Sequence, residues 1–219
     1  MIRFVAFDMD GTLVDVVSSW AAVHDHFGES NSDSVRLFMT DQIDDVEFMR
    51  RDIEIWWRHN PNISVQDLEA ILAPVPLMPG AHALFDALRA RGIRTAIVSG
   101  GIDLLAKRIG RELRIDYVLA NGFRVDAAGR LTGGGIIRVP IKAKEAALAG
   151  IQEQLGYTRE ETAAVGNSEI DVGLFRRSRI GVAFLPEDDY VRRHATAVVT
   201  EKDLTKVLPA LLAADAPTN

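Results

Sequence analysis

Two carboxylates, Asp8 and Asp10, stand two residues apart directly after the run Ile2-Arg3-Phe4-Val5-Ala6-Phe7. The run is short, β-branched and aromatic, which reads as a buried strand. In an extended chain residues i and i+2 point to one side, so the two acids share a face. Like charges that close repel, and one of them tends to keep its proton. A hard cation relieves the conflict, because carboxylate oxygens are the ligands that Mg²⁺ takes. Gly11 lets the backbone turn away at once, with Thr12 behind it. The chemistry suggested is metal-dependent phosphoryl transfer. The alternative is a solvated Asp-Gly turn.

Such a site needs a scaffold, and the rest of the chain reads as one. Buried strands are expected over 94–98, 117–120, 162–165, 180–184 and 197–199, with helices over 81–90, 103–113, 144–155 and 170–177 between them. Residues 123–126 and 130–132, joined through Ala127-Ala128-Gly129, read as a β-hairpin. This alternation implies an α/β fold, a doubly wound, Rossmann-like parallel sheet. In such sheets ligands bind beyond the carboxyl ends of the strands. Three strands end in polar, glycine-containing segments: 8–12, 99–101 and 166–171. Between 16 and 77 no strand is convincing; helices are expected over 18–27, 35–38, 45–58 and 64–72, the last with Ser64 as N-cap. The division expected is a core of 1–15 and 78–219 with a helical cap inserted over 16–77.

Composition narrows the classes of function. The chain has 219 residues, 47% hydrophobic, a net charge of -6 and no cysteine. An acidic balance without a basic stripe argues against nucleic acid as a partner. Disulfides and thiolate metal sites are excluded, and a reducing compartment, the cytoplasm, is expected. Residues 1–7 do not read as a signal peptide, and no apolar stretch reaches the length of a membrane span. The Ala/Pro-rich end over 213–219 reads as a frayed tail. Oligomeric state is not legible.

Taken together, Asp8-Met9-Asp10-Gly11-Thr12-Leu13-Val14, Val98-Ser99-Gly100-Gly101, Lys144, and Gly166-Asn167-Ser168-Glu169-Ile170-Asp171 resemble the four motifs of the haloacid dehalogenase superfamily of phosphatases. The helical insert makes the chain similar to its phosphoserine-phosphatase-like branch. The resemblance implies Asp8 as nucleophile, Asp10 as general acid and then base, and Mg²⁺ held by Asp8, the Asp10 carbonyl and residue 167. It also implies that Ser99, Gly100 and Lys144 bind phosphate, with Asp171 orienting Lys144. Thr12 supports the first turn. Ser99 has a plainer reading as a helix cap, and Lys144 as a surface lysine. The function implied is a phosphomonoesterase for a small phosphorylated metabolite. The alternatives are a phosphotransferase to an alcohol, or a catalytically weak relative that binds a phosphometabolite.

Two departures stand out. Asn167 occupies the place of a metal-binding aspartate, so Mg²⁺ affinity is expected to fall by on the order of a kcal/mol or more, with Glu169 or Asp171 compensating through water. Val17 stands where true phosphoserine phosphatases carry a cap glutamate. Arg50 and Arg51 lie roughly where that branch binds a substrate carboxylate; the plainer reading is a solvated helix face paired with Glu47. Trp20, Phe48, Trp56 and Trp57 read as helix packing more than as a substrate cage. His24 and His26 read as surface or core of the insert rather than as metal ligands.

Overall fold

A computed structural model describes residues 1–213. The elements run β1 (Phe4–Phe7), α1 (Ser19–His26), α2 (Ser32–Met39), α3 (Asp45–Trp57), α4 (Val65–Leu72), α5 (Ala81–Ala90), β2 (Arg94–Ile102), α6 (Asp103–Leu113), β3 (Tyr117–Val125) and β4 (Leu131–Ile136). They continue with α7 (Lys144–Leu155), β5 (Thr162–Gly166), α8 (Val172–Arg176), β6 (Ile180–Phe184), α9 (Asp189–His194), β7 (Ala197–Val199) and α10 (Leu208–Ala213).

One sheet has the order β4-β3-β2-β1-β5-β6-β7. All neighbours are parallel except β3 and β4, which form the expected hairpin. Successive β1 residues serve opposite faces. Val5 and Phe7 join the core under α5 and α6, whereas Phe4 and Ala6 join that under α7 and α8. Burial on both faces is why β1 is continuously apolar. Strand β1 is also where the winding reverses, with β2 on one side and β5 on the other. Phe7 pairs with Ile97 and with Val165, so the residues that follow these three emerge together at one edge.

The chain leaves the core after Leu13 and Val14 and returns at Leu77 and Met78. There the outgoing and incoming strands pair, through Asp15 N–H to the Pro76 carbonyl (3.0 Å) and Met78 N–H to the Leu13 carbonyl (2.8 Å). The four helices between are capped by their own side chains at three starts: Ser18, Asp44, and Ser64 in a capping box with Asp67. Trp20, Phe48 and Trp56 are buried, as a packing role requires. The insert also docks on the core. The Lys142 ammonium takes up the Phe38 carbonyl (2.7 Å), the Met39 carbonyl (3.1 Å) and Asp41 (2.6 Å), and Asp45 accepts from Ile141 N–H (2.8 Å).

Several boundaries differ from the sequence reading. Strand β2 continues through Ser99 to Ile102, with an irregular register against β3 between those residues. The helix expected over 170–177 is a 3-10 turn, Glu169–Asp171, followed by α8. Asp171 folds back to cap that turn rather than entering the helix. Helix α2 begins at Ser32, and α9 and α10 were not expected: each is six residues long, too short for an apolar period to register. The tail reading falls on 214–219, outside the described residues, except for Ala213, which ends α10. No described helix is long and apolar enough to cross a membrane.

Candidate active site

Asp8 begins where β1 ends, its N–H still donating to the Val165 carbonyl across the sheet (2.9 Å). The Lys144 ammonium, on the first residue of α7, lies 2.7 Å from Asp8 Oδ1 and 2.7 Å from Asp171 Oδ1. All three side chains are buried. The other Asp171 oxygen accepts from Asn167 N–H, Ser168 N–H and the Ser168 hydroxyl, each at 3.0 Å. Asp171 is thereby fixed by the loop after β5, and in turn it fixes Lys144. Lys142, two residues away, faces the insert instead.

Burial shapes the charges. It pushes the Asp8 carboxyl up to about 7, helped by the negative charge of Asp171 and opposed by Lys144. Burial alone would lower Lys144, but Asp171 and Asp8 overcome it and hold the ammonium above its ordinary range. Asp10 is pushed up to about 6 by burial, against two hydrogen bonds from Ser19 that favour its charged form. Those bonds run from Ser19 N–H (2.9 Å) and Oγ (2.8 Å) to Asp10 Oδ2. The remaining oxygen, Oδ1, is buried and has no hydrogen-bond partner among the described residues. Asp8 and Asp10 are thus two carboxyls in one site with different partners and different proton affinities.

The second strand end supplies the polar backbone. Ser99 is buried, and its Oγ accepts from Gly101 N–H (3.1 Å). The Gly100 carbonyl accepts from Trp20 Nε1 (3.2 Å) and Asn121 Nδ2 (3.3 Å). A Cβ on Gly101 would lie 2.7 Å from both Asp10 Oδ2 and Ser19 Oγ, so only glycine lets β2 pass this close to the acid. At the third strand end, Thr12 Oγ1 donates to Asn167 Oδ1 (3.2 Å), and Asn167 Nδ2 donates to Glu187 (3.3 Å). Gly11, at φ +72, turns the chain against this amide; a Cβ there would lie 2.5 Å from Asn167 Nδ2.

The structure therefore gathers Asp8, Asp10, Thr12, Ser99, Gly100, Lys144, Asn167 and Asp171 at one edge of the sheet. Glu169 stays outside this set: it is exposed and lines a groove of about 300 Å³ with Met39, Lys142 and Tyr190. Arg50 and Arg51 are held by carboxylates of their own helix, Arg50 by Glu47 (2.7 Å) and Glu54, and Arg51 by Glu47 (2.8 Å). Val17 is 85% exposed. Ser19, Trp20, Asn121 and Glu187 belong to the site's surroundings but carry no sequence signal of that role. At the start of α1 the two adjacent serines divide the work: Ser18 caps the helix and Ser19 holds Asp10. His24 lies in the core of the insert, accepting from Trp56 Nε1 (3.2 Å) and facing Asp52 (3.3 Å).

The chain is similar to known proteins. A phosphoserine phosphatase of Idiomarina loihiensis is 31% identical over 188 residues, 82% of this chain and 80% of its own length. One from Archaeoglobus fulgidus is 30% identical over 186 residues, 83% of this chain; the chain spans about half (52%) of that relative. Among solved structures, a phospho-aspartyl intermediate analogue of phosphoserine phosphatase superposes with a TM-score of 0.79 at 24% identity, covering 94% of this chain and 97% of that one. That likeness establishes the fold. The model of the haloacid dehalogenase-like hydrolases matches residues 5–176, a span that holds every strand end described above, and the chain belongs to that family.

Proposed function

We propose that this chain is a Mg²⁺-dependent phosphomonoesterase that hydrolyses a small phosphorylated metabolite through an aspartyl-phosphate. The observation that carries the reading is the Lys144 bridge between Asp8 and Asp171, next to the unpartnered Asp10 oxygen. One Asp8 oxygen would attack phosphorus as the ester P–O bond breaks, and Asp10 would give its proton to the departing alkoxide. Asp10, now ionised, would take a proton from water as the water oxygen attacks phosphorus. The bond to Asp8 then breaks, releasing inorganic phosphate and the free carboxylate. A raised proton affinity suits Asp10 to both duties. Ser99, Gly100 and Lys144 would hold the phosphoryl oxygens.

The donor set fits a divalent ion. Asp8 and Asp171 contact one ammonium and Asp10 lies within its electrostatic reach, so full ionisation leaves an excess of negative charge. Among the described residues no three His, Cys, Asp or Glu side chains converge as a ligand set; the Asn167 amide oxygen, which accepts from Thr12, would be the third donor. Asp8, Asp10 and Asn167 would hold Mg²⁺, which when bound supplies charge neutralisation between an anionic attacker and an anionic ester. Residues 16–77 are taken as the cap and 1–15 with 78–219 as the core, because the paired strands at 14–15 and 76–78 form a natural hinge.

Phosphoserine is the first substrate to try, given the relatives. The exposed Val17 and the Glu47-paired Arg50 and Arg51 leave the leaving-group class wider. The test is a panel of phosphomonoesters with Mg²⁺, run with and without an alcohol acceptor, for wild type and Asp8→Asn. Release of inorganic phosphate by wild type alone is expected. Ester formation with the alcohol in place of hydrolysis would make the chain a phosphotransferase, and no turnover above the variant would overturn the enzymatic reading.

A further inference from the structure

We infer that Trp20, on the first turn of the insert, is a positioning residue for phosphate binding and acts through a single peptide plane. The inference rests on the phosphatase reading. The Trp20 indole N–H donates to the Gly100 carbonyl (3.2 Å), and the N–H at the other end of that same peptide, on Gly101, donates to Ser99 Oγ (3.1 Å). A peptide unit is rigid, so fixing its carbonyl fixes its N–H. A Ser99 oxygen that accepts from Gly101 must aim its own proton elsewhere, and the phosphoryl oxygens are the acceptors the mechanism provides. Glycine on both sides leaves this plane with unusual freedom to rotate. Hydrogen bonds therefore hold it, and its carbonyl has two: Trp20 and Asn121 (3.3 Å).

The donor is itself held firmly. Trp20 is 4% exposed, stacks on Trp56 with ring centres 5.8 Å apart, and meets the edge of Phe123. Trp56 is pinned in turn by His24 (3.2 Å). One residue earlier in the same turn, Ser19 holds Asp10. The first turn of α1 thus sets both the proton donor and the phosphate loop, so the position of the insert is felt at both.

Trp20→Phe and Trp56→Phe separate this role from packing. Each trades an indole for a phenyl ring in the same aromatic stack, but only the first removes a donor to Gly100. The measurements are kcat, KM, the inhibition constant of inorganic phosphate, and Tm. Trp20→Phe is expected to weaken phosphate inhibition and raise KM by roughly three- to tenfold, the weight of one hydrogen bond. Trp56→Phe is expected to change phosphate inhibition by less than about twofold at a similar loss of Tm. If Trp20→Phe does not fold, benzothienylalanine at position 20, which replaces only the N–H by sulfur, takes its place. Unchanged phosphate inhibition in an active Trp20→Phe enzyme, or an equal change in both variants, overturns the inference alone. A wild-type protein that neither hydrolyses phosphomonoesters nor binds phosphate overturns the phosphatase reading and the inference together.

Discussion

The Lys144 ammonium is shared evenly by two buried carboxylates, 2.7 Å from Asp8 and 2.7 Å from Asp171. Removing it strands both. Lys144→Met is expected to abolish turnover and to destabilise the fold at neutral pH by about 3–5 kcal/mol, the usual loss when a buried ion pair loses one partner. Adding Asp171→Asn should recover much of that stability and none of the activity. Urea denaturation of the two variants checks this; full stability of Lys144→Met would mean that the ammonium is not needed to keep these acids buried.

Ser19 offers a way to move Asp10 without touching it. Its two hydrogen bonds favour the ionised form, against the burial that raises the carboxyl to about 6. Ser19→Ala leaves the backbone N–H and deletes the hydroxyl. The Asp10 titration, followed by carboxyl-carbon NMR in metal-free protein, should shift upward, and kcat should fall roughly tenfold. A downward shift would contradict the description of this pair.

Asp8 and Asp10 also give the metal-free protein an unusual pH response. Both titrate well above the ordinary 3.8, near 7 and near 6, so between those limits the folded state keeps protons that the unfolded chain has released. Their contribution to stability is complete below pH 3.8 and is lost as pH rises through 6 and 7. Glu47 and Glu161, each lowered from 4.5 to about 2, act in the opposite sense but only in more acidic solution. Thermal unfolding in EDTA should therefore show a Tm component that falls between pH 5 and pH 7, reduced in Asp8→Asn. Mg²⁺ should restore Tm most at the alkaline end, where the Asp8 carboxylate is ionised and free to bind it. A metal-free Tm whose fall over this range is the same in Asp8→Asn would count against these assignments.

Lys142 joins the insert to the turn that precedes Lys144, through two carbonyls at the end of α2 and through Asp41. Lys142→Ala should loosen that docking with little effect on the fold. Limited proteolysis between α2 and α3 is expected to speed up several-fold, and KM to rise more than kcat falls. An unchanged digestion rate would mean that Asp45, which accepts from Ile141 N–H, holds the insert without help.

What was legible in the sequence was set by short-range rules. Continuous apolar runs gave β1 and β5, helix periods gave α5 and α6 to the residue, and the Ser64 cap marked the start of α4. Asp8 and Asn167 were legible because each follows a strand in one parallel sheet, and Ser99 and Gly100 because they lie near the end of a third, where parallel register brings such ends together; Lys144, at the start of α7, was legible only through the family resemblance. Long-range pairing was not legible. The Ser19 bond to Asp10 depends on how α1 leaves the sheet, and the Asn121 and Trp20 bonds to Gly100 span 21 and 80 residues. Arg50 and Arg51 were legible only as two alternatives, since an i, i+3 or i, i+4 carboxylate competes with any substrate for a helix-surface arginine. Glu169, which the sequence offered beside Asp171 as a neighbour for Asn167, is exposed, and the acid that receives the Asn167 amide is Glu187, 20 positions away and beyond the reach of motif spacing.

Turnover through an aspartyl-phosphate requires the Asp8 carboxylate to form a bond to phosphorus. Acid quenching of the wild-type enzyme during turnover of a phosphomonoester with Mg²⁺, followed by intact-mass and peptide analysis, tests it most directly. A hydroxylamine-labile phosphoryl adduct is expected on the peptide that contains Asp8, present in wild type and absent from Asp8→Asn. Steady turnover with no adduct on that peptide, or an adduct that persists in Asp8→Asn, would contradict it.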